Sequence, residues 1–131
     1  MRIMIKEVGK TPEIKEYESL TLEDMQNMVG GYIEHITVTD DVDMWINDEG
    51  KLLGLPTNLF LAYNGKVYDS IQGDVFFSSH DDEGETVGLS EENEKVVWKM
   101  YERLMMCHDP FVEGGRVDLF PVLELGGDVD D

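Results

Sequence analysis

Thr21-Leu22-Glu23-Asp24-Met25-Gln26-Asn27-Met28-Val29-Gly30-Gly31 is the stretch on which the fold turns. The Thr21 hydroxyl can accept a backbone N–H at a helix start. Asp24, three residues on, can reach back to the amide of Thr21 in a variant of the capping box. Leu20, just before the cap, can pack on Met25 as a hydrophobic staple. Leu22, Met25, Met28 and Val29 share one helical face, and Gly30-Gly31 permits the left-handed conformation that ends a helix. One short amphipathic helix is expected, with Met25 and Met28 as core side chains rather than soft-metal ligands.

Working outward, Arg2 to Val8 alternates around Ile3 and Ile5. Gly9-Lys10-Thr11-Pro12 supplies turn chemistry and Glu13 to Glu18 is extended again, which predicts a β-hairpin before the helix. After it, Tyr32 to Thr39 and Val42 to Ile46 are rich in β-branched and aromatic residues and read as two strands around the Asp40-Asp41 corner. Asn47-Asp48-Glu49-Gly50 is a turn sequence, expected to lead into Lys51 to Leu55 as a continuing strand until Pro56 removes a donor. Leu59 to Tyr63, Lys66 to Ser70 and Asp74 to Ser78 are further short strands, the first two joined at Asn64-Gly65, a two-residue hairpin signal.

Ser79 to Leu89 has no apolar period and reads as an exposed loop. Ser90 caps a second helix with Glu91, Glu92 and Glu94 at the positive end of its dipole. Val97, Met100, Tyr101 and Leu104 form its expected buried stripe, and Asp109-Pro110 its end. Val117 to Leu125 is one more strand, interrupted by Pro121, and Gly126 to Asp131 is expected to fray. The expected fold class is α+β, a mixed or antiparallel sheet with two helices. The order strand, strand, helix, strand is β-grasp-like; the alternative is a sheet covered by both helices on one face.

The 131 residues suit a single domain, and 41% hydrophobic content is too much for a disordered polyanion. A single cysteine, Cys107, excludes an intramolecular disulfide and fits a reducing compartment, so a cytoplasmic location is expected. No apolar run approaches the roughly 18 residues of a membrane span. The formal charge is −19, and it is unevenly placed: residues 1–30 carry six acids and four bases, residues 31–131 carry 23 acids and six bases. Such a surface repels nucleic acid and anionic membranes and attracts basic proteins or cations. Lys outnumbers Arg and Ala62 is the sole alanine, a pattern that argues against adaptation to high salt.

Catalytic chemistry has little to stand on. His35 falls in a strand pattern and His80 beside Asp81, neither with a second ligand at metal spacing. Cys107-His108-Asp109 could pair a thiol with a base, yet adjacent residues at a helix end seldom converge, and a half-buried structural cysteine is the simpler reading. Asp40-Asp41-Val42-Asp43 and Asp81-Asp82-Glu83-Gly84-Glu85 have oxygens for a hard cation but lack the spacing, central glycine and terminal Glu of an EF-hand loop. No glycine-rich phosphate cradle and no basic patch with interleaved aromatics is present. No catalytic, cofactor or metal site is predicted.

The segments Gly30-Gly31-Tyr32-Ile33-Glu34, Asn47 to Asn58 (Asn-Asp-Glu-Gly-Lys-Leu-Leu-Gly-Leu-Pro-Thr-Asn) and Gly73-Asp74-Val75-Phe76-Phe77 resemble an uncharacterised family of small proteins found in phages, prophages and plasmids. The resemblance covers roughly residues 1–78 and leaves 79–131 as an addition of this chain's own within one acidic domain. It implies no activity. It does imply a setting, since small acidic proteins of mobile elements often inhibit host defence, as anti-CRISPR and antirestriction proteins do.

Seven acids and no base lie between residues 81 and 94. Dense surface carboxylates can present a field comparable to a duplex, which carries one charge per ~1.7 Å of axis. The expected function is therefore non-enzymatic: a mobile-element protein, acting in the cytoplasm of a bacterial host, that blocks a basic nucleic-acid-binding defence nuclease or regulator by DNA mimicry. The expected contact is Asp81, Asp82, Glu83, Glu85, Glu91, Glu92 and Glu94. The alternative is a phage accessory binding module using Leu53, Leu55, Pro56 and Asn58.

Overall fold

In the computed structural model, which describes residues 1–109 and 116–126, the opening hairpin pairs β1 (Arg2–Lys6) with β2 (Glu13–Glu16). The chain enters α1 (Leu22–Val29) through the expected cap. Thr21 Oγ1 accepts the amide of Asp24, and Asp24 Oδ2 accepts the amide of Thr21, each at 3.0 Å. Gly30 ends the helix at φ +81°, which glycine adopts without a Cβ clash. Then follow β3 (Ile33–Thr37), β4 (Asp43–Asn47), β5 (Thr57–Tyr63), β6 (Lys66–Gln72), β7 (Val75–His80) and β8 (Thr86–Val87). The remainder is α2 (Glu91–Trp98) with a trailing 3-10 turn (Lys99–Glu102), β9 (Leu104–Asp109) and β10 (Arg116–Glu124).

These elements form two sheets, and the class is α+β. The first runs β2-β1-β7-β4-β3, all antiparallel, with β8 on the far end of β7. The second runs β6-β5-β10-β9 and is mixed, because β10 lies parallel to β5 with Val122 opposite Phe60. The first sheet keeps the hairpin, helix, strand order of the expected β-grasp opening; the second lies outside that plan. Nor do both helices share one face. Met25 and Val29 of α1 pack with Ile3, Ile5 and Phe76, whereas Val97 of α2 and Met100 join the core shared by the two sheets.

Strand alternation explains both cores. Ile3 and Ile5 point toward α1, so Met4 and Lys6 point the other way, where Met4 joins Met44, Leu59, Leu61, Phe77 and Leu123. Fully burying each such side chain is worth about 1.5–3 kcal/mol. The first sheet is therefore buried on both faces, and Lys6 is carried into the interior at 2% exposure. Asn58 meets it there. The β5–β6 register slips between Thr57 and Leu59, so Asn58 is the extra residue of a bulge, a device that re-aims a side chain. A second close fit joins the β4–β5 connection to β6: a Cβ on Gly50 would lie 2.6 Å from the carbonyl oxygen of Gln72.

Several expectations need correction. Leu22 is 59% exposed, since Met25, Met28 and Val29 make the contact with the sheet. Lys51 to Gly54 is not a strand: Leu53 donates to the carbonyl of Glu49 and Leu55 to that of Gly50, a helix-like turn that leaves Leu52 and Leu53 exposed. The 79–89 segment is less open than expected, for Ser79 is buried, β7 extends to His80, and Leu89 donates to the carbonyl of Arg2. The second helix stops early because Arg103 is extended, at φ −137° and ψ 115°. Leu104 to Asp109 consequently forms β9, and Leu104 is 49% exposed. Pro121 does not interrupt β10; the ladder to β5 begins one residue later at Val122, so no bond to that strand is forfeited. The expected fraying of 127–131 lies outside the described residues.

Candidate functional site

The seven acids between residues 81 and 94 lie on two elements. The first group is the tip of the β7–β8 hairpin, where His80 faces Thr86, Asp81 donates its amide to the carbonyl of Glu85 at 2.9 Å, and Gly84 takes φ +82°. Asp81 Oδ1 accepts the amides of Glu83 and Glu85, both at 2.9 Å, the bonding that favours Asp at a turn. That carboxylate is held against its own backbone. Asp82, Glu83 and Glu85 project around it, all exposed.

The second group opens α2. Ser90 Oγ accepts the amide of Asn93 at 3.1 Å, and Glu91 and Glu92 stand exposed in the first turn, where the helix dipole favours negative charge. Glu94 behaves differently. It receives Arg2 Nε at 2.9 Å and Nη2 at 3.3 Å, its side chain 13% exposed, and so clamps α2 to β1. Of the seven expected contact acids, six are exposed, Asp81 among them although its Oδ1 is taken by its own turn, and Glu94 alone is drawn into the fold by Arg2.

The structure adds a third acidic group that sequence reasoning missed. The β3–β4 turn is shaped by Thr39 Oγ1, which accepts the amides of Asp41 and Val42 at 3.1 Å, and it leaves Asp40 and Asp41 exposed. β4 pairs with β7, Asp43 opposite Ser78, so this turn comes up beside the acidic hairpin. His80 lies between them, its Nδ1 2.8 Å from Oδ2 of the nearly buried Asp43. The hydrogen bond and charge of Asp43, with smaller contributions from Asp41 and Asp81, hold the imidazole above its ordinary pKa despite some burial. One side chain therefore senses carboxylates from both turns. The corner Asp40-Asp41-Val42-Asp43 is conspicuous in the sequence, but the β4–β7 pairing that brings it here is not.

Cys107, expected at a helix end, is half-buried in the middle of β9 opposite Asp118. Among the described residues no three His, Cys, Asp or Glu side chains form a group that could hold a metal. No helix among them is long and apolar enough to cross a membrane. Of the alternative surface, Leu53 is 57% exposed and Leu55 and Pro56 are half-buried. Asn58 does not belong to that surface: at 1% exposure it donates through Nδ2 to the carbonyls of Lys6 at 2.9 Å and Gly73 at 2.8 Å.

No curated protein and no solved structure matches the chain. A family model does, and it runs on to residue 103, past the point near residue 78 where the resemblance was expected to stop. The acidic hairpin, α2 and the 3-10 turn therefore fall within the matched region rather than outside it. With residues 1–103 of 131 matched, the chain belongs to DUF3846, a domain of unknown function.

Proposed function

We propose that this domain is a non-enzymatic inhibitor carried by a phage or other mobile element, which occupies the nucleic-acid channel of a basic host defence protein with its acidic surface. The observation that carries this reading is the proximity of three acidic segments: the hairpin tip and the β3–β4 turn, joined through His80 and Asp43, and the first turn of α2, where Asn93 Nδ2 donates to Ser79 Oγ at the base of that hairpin at 3.5 Å. Their exposed carboxylates are Asp81, Asp82, Glu83, Glu85, Glu91, Glu92, Asp40 and Asp41. No lysine or arginine interrupts residues 81–94, and the chain as a whole carries −19. The described arginine and lysine ion pairs join other acids: Arg2 to Glu94 and Glu16, Lys10 to Glu7, and Lys51 to Asp69. Exposed carboxylates cost little to keep charged, and a basic groove releases its own counterions when it meets them.

The test is affinity capture from a bacterial lysate with tagged protein, at low and high salt and with competing duplex DNA. A nucleic-acid-binding partner released by both salt and DNA supports the proposal. A partner held through high salt and indifferent to DNA refutes it. That second outcome suits an accessory binding module, favoured by the 82% and 57% exposure of Leu52 and Leu53, with the likewise exposed Tyr32 on the same surface depression as Leu53. For that module Leu53→Asp, not charge reversal, abolishes capture.

A further inference from the structure

The interior of this polyanion holds a lysine that, among the described residues, no carboxylate contacts. Lys6 Nζ donates to Asn58 Oδ1 at 2.6 Å and to the carbonyl of Glu7 at 2.9 Å, both neutral acceptors. Among the described ion pairs none involves Lys6. The nearest helpful charge, Asp74, acts from farther away and spends Oδ1 on the amide of Val8. Burying an ammonium this way is expensive, and a merely structural position would be filled better by Met or Leu. An ammonium has three N–H groups and the fold accepts two.

Lys6 lines a cleft of about 450 Å³, within the usual range for small-molecule sites. Lys10 stands at the β1–β2 turn on the same cleft, and the facing wall is β10, with Leu119, Phe120 and Pro121. Among the described residues of the lining, Asp118 is the one acid. Lys10 is paired with Glu7 at 3.1 Å, so on a protein where acids outnumber bases 29 to 10 the ammonium of Lys6 is the positive charge that this cleft offers. Its polar end and apolar wall suit a molecule with a charged head and a greasy body.

We propose that this cleft binds a small organic anion, a carboxylate or phosphate on an apolar or aromatic body, whose head accepts the third N–H of Lys6 and whose body lies against Leu119 to Pro121. Burial lowers the Lys6 pKa to about 8, offset in part by Asp74. The side chain is thus mainly ammonium at neutral pH and loses its charge just above it. Binding of an anion should therefore weaken as pH rises through that value.

The test is a titration of the full chain with benzoate and with phenyl phosphate, followed by amide NMR, with inorganic phosphate as the head-only probe. The expected result is saturable shifts at Val8, Gly9, Asn58 and Phe120, tighter for the aromatic probes than for phosphate. Preference between benzoate and phenyl phosphate then identifies the head group. Affinity should fall about tenfold or more from pH 7 to pH 10. Lys6→Met should abolish saturation, and Leu119→Asp, at a position 53% exposed, should weaken the aromatic probes without unfolding the protein. The wild-type pH series and Leu119→Asp decide the matter even if Lys6→Met does not fold. Absence of saturable shifts at about 10 mM probe, or binding that ignores both pH and Leu119→Asp, overturns the proposal.

Discussion

The acidic apron and the Lys6 cleft treat charge in opposite ways. In the apron many carboxylates sit in water, each nearly free of desolvation cost, and what matters is their number and shared direction. In the cleft one ammonium is taken out of water, and what matters is each acceptor around it. Net charge therefore announces the first region and says nothing about the second. Mutations should separate them just as sharply: single changes at the exposed acids of the apron are expected to leave stability within about 0.5 kcal/mol, whereas loss of the buried acceptor Asn58 should cost several times more.

The largest expected effect is Asn58→Ala. It removes one of the two acceptors of a buried ammonium and strands the carbonyls of Lys6 and Gly73. A loss of about 4 kcal/mol in denaturant unfolding is expected, against less than about 0.5 kcal/mol for Asp82→Ala. Equal losses at the two sites would erase the distinction between them.

Next comes the pH dependence of the buried lysine. Its folded pKa, about 8, lies below the ordinary 10.5. Between those values the unfolded chain binds the extra proton, so stability must rise with pH. Wild type should gain about 3 kcal/mol on Lys6→Met from pH 8 to about pH 10.5, whatever the sign of their difference at pH 7. A difference that stays flat across this window would show that Lys6 is solvated.

Smaller is the effect at His80, which belongs to the apron. Its folded pKa is raised by Asp43, so its contribution is fully present below the unfolded value near 6.5 and is lost as pH rises through the folded value. Imidazole NMR should place its midpoint above that of a free histidine, and Asp43→Asn should return it. A midpoint unmoved by Asp43→Asn would mean that the two acidic turns do not act on one site.

The legibility of the molecule in its sequence follows the same division. Local signals were readable where they are self-contained: Thr21 with Asp24 and Gly30 marks α1, and Asn64-Gly65 marks the β5–β6 turn, where both residues have positive φ. Alternation about Ile3 and Ile5 locates β1 but does not mark Lys6 as a buried residue. Its burial depends on β5 and β10 packing across the other face, a contact between residues 52 positions apart in the case of Asn58. The inward turn of Asn58 is not legible, because a bulge reverses which way a residue points and bulges leave no reliable trace in composition. The spacing of Leu104 from Val97 and Met100 is helical, while the extended Arg103 that breaks the helix is an ordinary residue with no stop signal. Of the apron, the acids at 82–92 were legible from their run, and Asp40 and Asp41 were not, because their membership rests on β4 pairing with β7.

The most direct measurement of the central claim is capture by the quadruple variant Asp82→Lys, Glu83→Lys, Glu85→Lys, Glu92→Lys beside wild type, at matched low salt and after circular dichroism has shown both folded. All four side chains are exposed, and Asp81 and Glu94, which hold the hairpin and α2, are left intact. The account predicts loss of the basic partner by about two orders of magnitude, since steering and contact are both electrostatic. Undiminished capture by the folded quadruple variant would contradict it.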